Sequence, residues 1–227
     1  MAPNDQTRVA PALTVDRHRY LAEIGKLCRV DWPENRTVNI VCHGHSVPSG
    51  YFKTPDVRSL DAYPHLLRVG LAERYPHAVI NVIVTAIGGE MSESGAKRFE
   101  KDVIALRPDV VTIDYGLNDQ RLGLEQSRVA WVAMIKAALA IQAKVILLTP
   151  TINLEAKLDD PNDPLNQHAE QIRQLAQEYQ VGLVDSLAAF RRFICSGGNP
   201  ASLMSQSNHP NRQGHELVAE ALLEWFL

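Results

Sequence analysis

VNIVCHGHS, residues 38–46, is the stretch on which the fold turns. The apolar run Val38–Cys42 reads as a strand covered on both faces. It gives way at once to a polar turn, His43-Gly44-His45-Ser46. The pattern recurs along the chain. AVINVIVT (78–85), DVVTIDY (109–115), KVILLTP (144–150) and a weaker VGLVD (181–185) are further strands. Helix-period segments separate them, at 60–74, 94–106, 128–141, 163–179 and 211–226, and an amphipathic helix near 15–28 precedes them. Pro76, Pro108 and Pro210 fall at joints between elements. Such alternation predicts an α/β domain with a mostly parallel five-stranded sheet and helices on both faces. The expected division is an N-terminal helical extension at 1–36, packed on a domain at 37–227.

Composition narrows the function. The 227 residues carry a net charge of -3, so no electrostatic case exists for nucleic acid. No run approaches the ~20 apolar residues of a membrane helix. The opening MAPNDQTRVAPAL has neither a basic nor an apolar leader region. Three widely spaced cysteines, Cys28, Cys42 and Cys195, fit reduced thiols, and the expected location is the cytoplasm.

In parallel sheets, ligands sit beyond the carboxyl ends of the strands. There the chain places Ser46, the pair Gly88-Gly89, Asn118 and, before the last helix, His209. Each suits acyl transfer. A serine hydroxyl needs a histidine to take its proton. A tetrahedral oxyanion needs backbone N–H groups and an amide aimed at it. Glycine lets backbone approach substrate closely. Taken singly, Ser46 is also a turn or cap serine, Asn118 a turn residue, and Asp119 more structural than catalytic. Tyr51, Phe52 and Lys53 follow the serine turn and are expected to line the site. The polar segment 153–166 is expected to overhang the crevice.

Four blocks in order resemble the SGNH (GDSL) esterase/lipase family: Gly44-His45-Ser46, Gly88-Gly89-Glu90, Gly116-Leu117-Asn118-Asp119, and Gln206-Ser207-Asn208-His209-Pro210-Asn211. The resemblance implies a three-layer α/β/α, flavodoxin-like fold and a serine ester hydrolase with no metal and no cofactor. It implies Ser46 as nucleophile, His209 as base, and an oxyanion hole from the N–H groups of Ser46 and Gly89 and the side chain of Asn118. Gly88, His45 and Tyr51 are expected to touch substrate. Two positions depart from the family pattern. His45 stands for the aspartate beside the nucleophile, and Gln206 for the aspartate that orients the histidine. Gln206 can accept the Nδ1 proton through its carbonyl, or a backbone carbonyl or Asp185 takes that role.

Competing readings are an α/β-hydrolase, a nucleotide or flavin binder, and a catalytically weak ester-binding relative. Pro48 stands where the α/β-hydrolase elbow needs its second glycine, and no G-x-G-x-x-G follows the first strand. His43 and His45 lack further residues at ligand spacing, so no metal is expected. The expected substrate is a small short-acyl ester of the O-acetylated-sugar type, with a lipase or thioesterase substrate as the alternative. Nothing in the sequence sets the oligomeric state.

Overall fold

A computed structural model describes residues 15–227; the MAPNDQTRVAPAL stretch lies outside them. The chain begins with α1 (Arg17–Tyr20) and α2 (Ala22–Leu27). It continues through β1 (Val38–Gly44), α3 (Ser46–Ser49), α4 (Tyr63–Arg74), β2 (Ile80–Val84), α5 (Ser92–Asp102) and β3 (Val110–Asp114). Next come α6 (Gly116–Asp119), α7 (Leu124–Ala140), β4 (Lys144–Leu148), α8 (Pro164–Glu178), β5 (Gly182–Val184) and α9 (Ser186–Cys195). A two-stranded hairpin, β6 (Met204–Gln206) and β7 (His209–Pro210), precedes α10 (Arg212–Leu223).

The five long-sheet strands are all parallel, in the order β2-β1-β3-β4-β5. This is the flavodoxin-like order, whose direction of winding reverses between β1 and β3. The crevice beyond those two strands is therefore the natural ligand site. Gly44 pairs with Asp114 at its lip. A Cβ on Gly44 would lie 2.4 Å from the Asp114 carbonyl, so only glycine allows this approach.

Strand alternation builds two cores. Val38, Ile40, Cys42, Ile146 and Leu148 pack with residues of α4, α9 and α10 on one face. Val41, Val111, Ile113, Val145 and Leu147 pack with residues of α5, α7 and α8 on the other. Leu21, Ile24 and Cys28 join the first core, and Tyr20 Oη bonds the Val145 backbone of β4. Helix starts follow ordinary capping chemistry: Asp163 accepts from Leu165 N with Pro164 at the first turn, and Asn211 accepts from Gly214 N.

Some elements differ from the sequence reading. β2 begins at Ile80, leaving Val79 exposed before it. α7 begins at Leu124, earlier than the apolar period marks. The span 94–106 divides into α5, which begins at Ser92, and a 3-10 turn at Ile104–Leu106. α9 and the β6–β7 hairpin are additional. α9 follows β5 without a loop, because Asp185 both ends the strand region and caps the helix through Ala188 N. The cysteines are free, Cys28 and Cys42 buried and Cys195 exposed.

Candidate active site

β1 delivers Ser46 to the first turn of α3, and the hairpin delivers His209 from the opposite side of the crevice. Ser46 Oγ lies 2.9 Å from His209 Nε2. His209 Nδ1 lies 2.8 Å from the Phe52 carbonyl and 2.8 Å from Gln206 Nε2. The Gln206 amide is oriented by its other bonds: Oε1 accepts from Thr54 N at 3.1 Å, and Nε2 donates to Asn208 Oδ1 at 2.9 Å. Gln206 thus presents nitrogen to Nδ1. When Nδ1 carries a proton, the Phe52 carbonyl is the acceptor that receives it. Gln206 instead ties the 52–54 strap to the histidine turn. Asp185 is committed elsewhere, to Thr149 Oγ1, Arg173 and the start of α9.

Burial pushes the His209 imidazole below its ordinary range, and a positive charge on His45 would push it further; the Phe52 carbonyl works against both. The ring is therefore neutral over most of the physiological range, as a base must be. The Phe52 strap is held from behind, where the Phe52 ring stacks on buried His215 at 5.4 Å. His215 Nδ1 accepts from Tyr63 N at 3.2 Å, and burial lowers its pKa to about 3.

The glycine loop and Asn118 form the third side. Gly89 adopts φ 77° with open space where a side chain would be. Gly88 lies against the Tyr51 ring, which a Cβ would meet at 2.7 Å. Tyr51 in turn lies 6.2 Å from the His209 ring, so it walls the space between loop and base. Asn118 Nδ2 donates to the Glu90 carbonyl at 2.9 Å, which fixes the amide and leaves its second N–H for another acceptor. Among the described residues, the N–H groups of Ser46 and Gly89 donate to no protein acceptor.

Glu90 anchors this loop. Arg98 grips both its carboxylate oxygens, and Tyr115 Oη donates to Oε2 at 2.7 Å. His43 Nε2 reaches Tyr115 Oη at 3.0 Å, and His43 Nδ1 meets Thr85 Oγ1 at 2.9 Å. Desolvation, helped by the Arg98 charge, lowers the His43 pKa to about 4, so this histidine serves as a neutral link. Asp119 accepts from Ser92 N and Trp131 Nε1, joining α6 to α5 and α7.

His45, expected at the substrate, is 1% exposed and faces inward. Its Nδ1 accepts from Val47 N at 3.2 Å, capping α3, while Nε2 lies 3.4 Å from Asp114 Oδ1. The segment 153–166 meets the histidine turn where Leu154 N donates to the Ser207 carbonyl at 2.8 Å. A cleft of about 580 Å³ opens beside it, lined by Asn153, Leu154, Lys157 and Asp160 among others. Sequence reasoning missed the Phe52 carbonyl, because every residue has one, and Glu90 as an anchor, because its partners Arg98 and Tyr115 lie 8 and 25 residues further along the chain.

Residues 42–217 match the GDSL-like Lipase/Acylhydrolase family. An acetylxylan esterase from Geobacillus stearothermophilus is 29% identical over 169 residues, 68% of this chain and 76% of that one. The crystal structure of an acetylxylan esterase from that organism superposes with a TM-score of 0.73 at 25% identity, covering 83% of this chain and 94% of the other. Catalytic mutants of that esterase alter a serine, a histidine and an aspartate three positions before the histidine. A two-domain esterase active on acetylated mannans shares the fold, with a TM-score of 0.74 and 19% identity, covering 91% of this chain and 53% of that one.

Proposed function

Because this chain belongs to the GDSL-like lipase/acylhydrolase family and is thus a carboxylic ester hydrolase, we propose that it removes acetyl groups from carbohydrate through an acetyl-enzyme on Ser46. The observation that carries the chemistry is the 2.9 Å contact of Ser46 Oγ with His209 Nε2, backed by the Phe52 carbonyl on Nδ1. Its likeness to an acetylxylan esterase supports the substrate class.

Ser46 Oγ attacks the acetyl carbonyl carbon as His209 Nε2 takes the hydroxyl proton. The carbonyl oxygen becomes an oxyanion, met by the N–H groups of Ser46 and Gly89 and the second Nδ2 proton of Asn118. The tetrahedral centre collapses. The bond to the sugar oxygen breaks, and His209 returns its proton to that oxygen. Water then attacks the acetyl carbon as His209 Nε2 takes one of its protons; the bond to Ser46 Oγ breaks, His209 returns the proton to that oxygen, and acetate leaves. The imidazolium formed at each step gains the Phe52 carbonyl dipole where the relative has an aspartate at this spacing. A dipole stabilises it less than a full charge does.

Turnover of acetylated xylo-oligosaccharides, followed by acetate release, tests this reading. Ser46→Ala is expected to abolish release while leaving the circular dichroism spectrum unchanged. Retention of more than a few per cent of activity removes Ser46 from the nucleophile role.

A further inference from the structure

His45 raises a question that the acyl-transfer steps leave unanswered. A histidine is an unusual helix cap, since only one of its two neutral forms offers an acceptor at Nδ1. The ring is buried beside the nucleophile, with Nδ1 3.2 Å from Val47 N and 3.4 Å from Ser46 Oγ. On its far side, Nε2 makes no hydrogen bond among the described residues, and it lies 3.4 Å from Asp114 Oδ1. Asp114 is itself buried at the end of β3, and Tyr63 Oη donates to its other oxygen at 3.3 Å.

These contacts sort the two neutral forms of His45. With the proton on Nε2, the N–H faces a carboxylate and the Nδ1 lone pair faces the Val47 N–H. With the proton on Nδ1, two N–H groups face each other at the cap, and a bare Nε2 lone pair faces a carboxylate. The second form strips the Val47 N–H of its acceptor and sets a lone pair against a buried carboxylate. It would also aim an N–H at Ser46 Oγ.

We propose that Asp114 and His45 are positioning residues for the nucleophile: Asp114 holds His45 in its Nε2–H form, and that form keeps α3 wound and Ser46 Oγ turned to His209. The pair thereby does with two residues what a single acceptor does in a simple cap. The β1–β3 register supplies the juxtaposition, since Gly44 and Asp114 are partners and the His45 N–H donates to the Asp114 carbonyl. This inference rests on the reading of Ser46 as nucleophile.

Nitrogen NMR of histidine-labelled protein tests it, with His45 assigned by its loss in His45→Asn. The expected wild-type signals are a protonated Nε2 and a bare Nδ1. A protonated Nδ1 overturns the proposal, and this arm needs no altered protein to fold. In kinetics on a short aryl acetate, Asp114→Asn is expected to lower kcat about tenfold, with KM changed less than twofold. In the His45→Asn background, whose amide oxygen caps without any tautomer choice, Asp114→Asn is expected to cost less than twofold more. An unchanged kcat in Asp114→Asn, or an equal loss in both backgrounds, overturns the pairing. A wild-type protein that forms no Ser46 adduct with an organophosphonate would instead sink the esterase reading, and the tautomer result would stand apart from it.

Discussion

Gln206 and His209 show how one side chain's chemistry is rebalanced by its neighbours. A carboxylate beside Nδ1 would raise the histidine's affinity for a proton; here burial dominates and lowers it. The sign for catalysis follows. The base works when neutral, so activity is lost only as pH falls through the His209 pKa. The acid limb of kcat/KM is accordingly expected below pH ~6.5, the ordinary histidine value. Gln206→Asp restores the charge and should move that limb upward. A pH–rate profile of the two proteins checks both statements; a wild-type limb above 6.5, or no upward shift in the variant, counts against them. At Asn118 the expectation differs. Asn118→Ala removes an oxyanion donor and should lower kcat by roughly 10²- to 10³-fold with KM little changed. A loss confined to KM would make Asn118 a substrate contact instead.

At the scale of elements, the parts legible in sequence were those with a period or a punctuating residue. The five strands showed as β-branched runs, and the site residues followed because parallel strands deliver their ends to one edge. α9 was not legible, since its cap, Asp185, reads equally as the last residue of β5. The hairpin was not legible either: β7 is two residues long and holds proline. Backbone groups such as the Phe52 carbonyl leave no mark in a sequence at all. Nor does the Glu90 clamp, in which Arg98 from α5 and Tyr115 from the end of β3 hold the loop that bears Gly89, with His43 of β1 bonded to Tyr115 behind them. Breaking it has a calculable consequence. Arg98→Met leaves the Glu90 carboxylate, 8% exposed, with Tyr115 as its remaining side-chain partner. Loss of one partner of such a pair costs about 3 kcal/mol. Urea unfolding should show that loss. Acetate release should fall in kcat, because the oxyanion loop and the Asn118 contact to Glu90 O share the anchor. Full kcat with reduced stability would separate the clamp from the site.

At the scale of the whole molecule, five histidines are buried among the described residues: His43, His45, His168, His209 and His215. His43, His168, His209 and His215 have pKa values depressed chiefly by burial, to about 4 for His43 and about 3 for His215. In the unfolded chain each titrates near 6.5. Between pH ~6.5 and ~4 the unfolded state therefore binds more protons than the folded one, and stability must rise with pH across that window. Acidic groups act lower down and in both directions. Asp185, paired with Arg173, adds stability that is lost as pH falls below the carboxylate range, whereas Asp119, whose pKa burial raises, opposes that loss. The histidine window thus comes first as pH falls. His43 and His215 alone each contribute a slope of up to roughly 1.4 kcal/mol per pH unit there. Urea midpoints at pH 7.5, 6 and 5 are expected to decline steadily, well before the carboxylates titrate. His215→Gln should flatten the decline by about one proton's worth while lowering stability at pH 7.5, because the stacked support beneath Phe52 is lost. A wild-type midpoint constant from pH 7.5 to 5 would mean that these histidines protonate without unfolding the chain, and that the neutral links at Phe52 and Tyr115 are not what holds the site together.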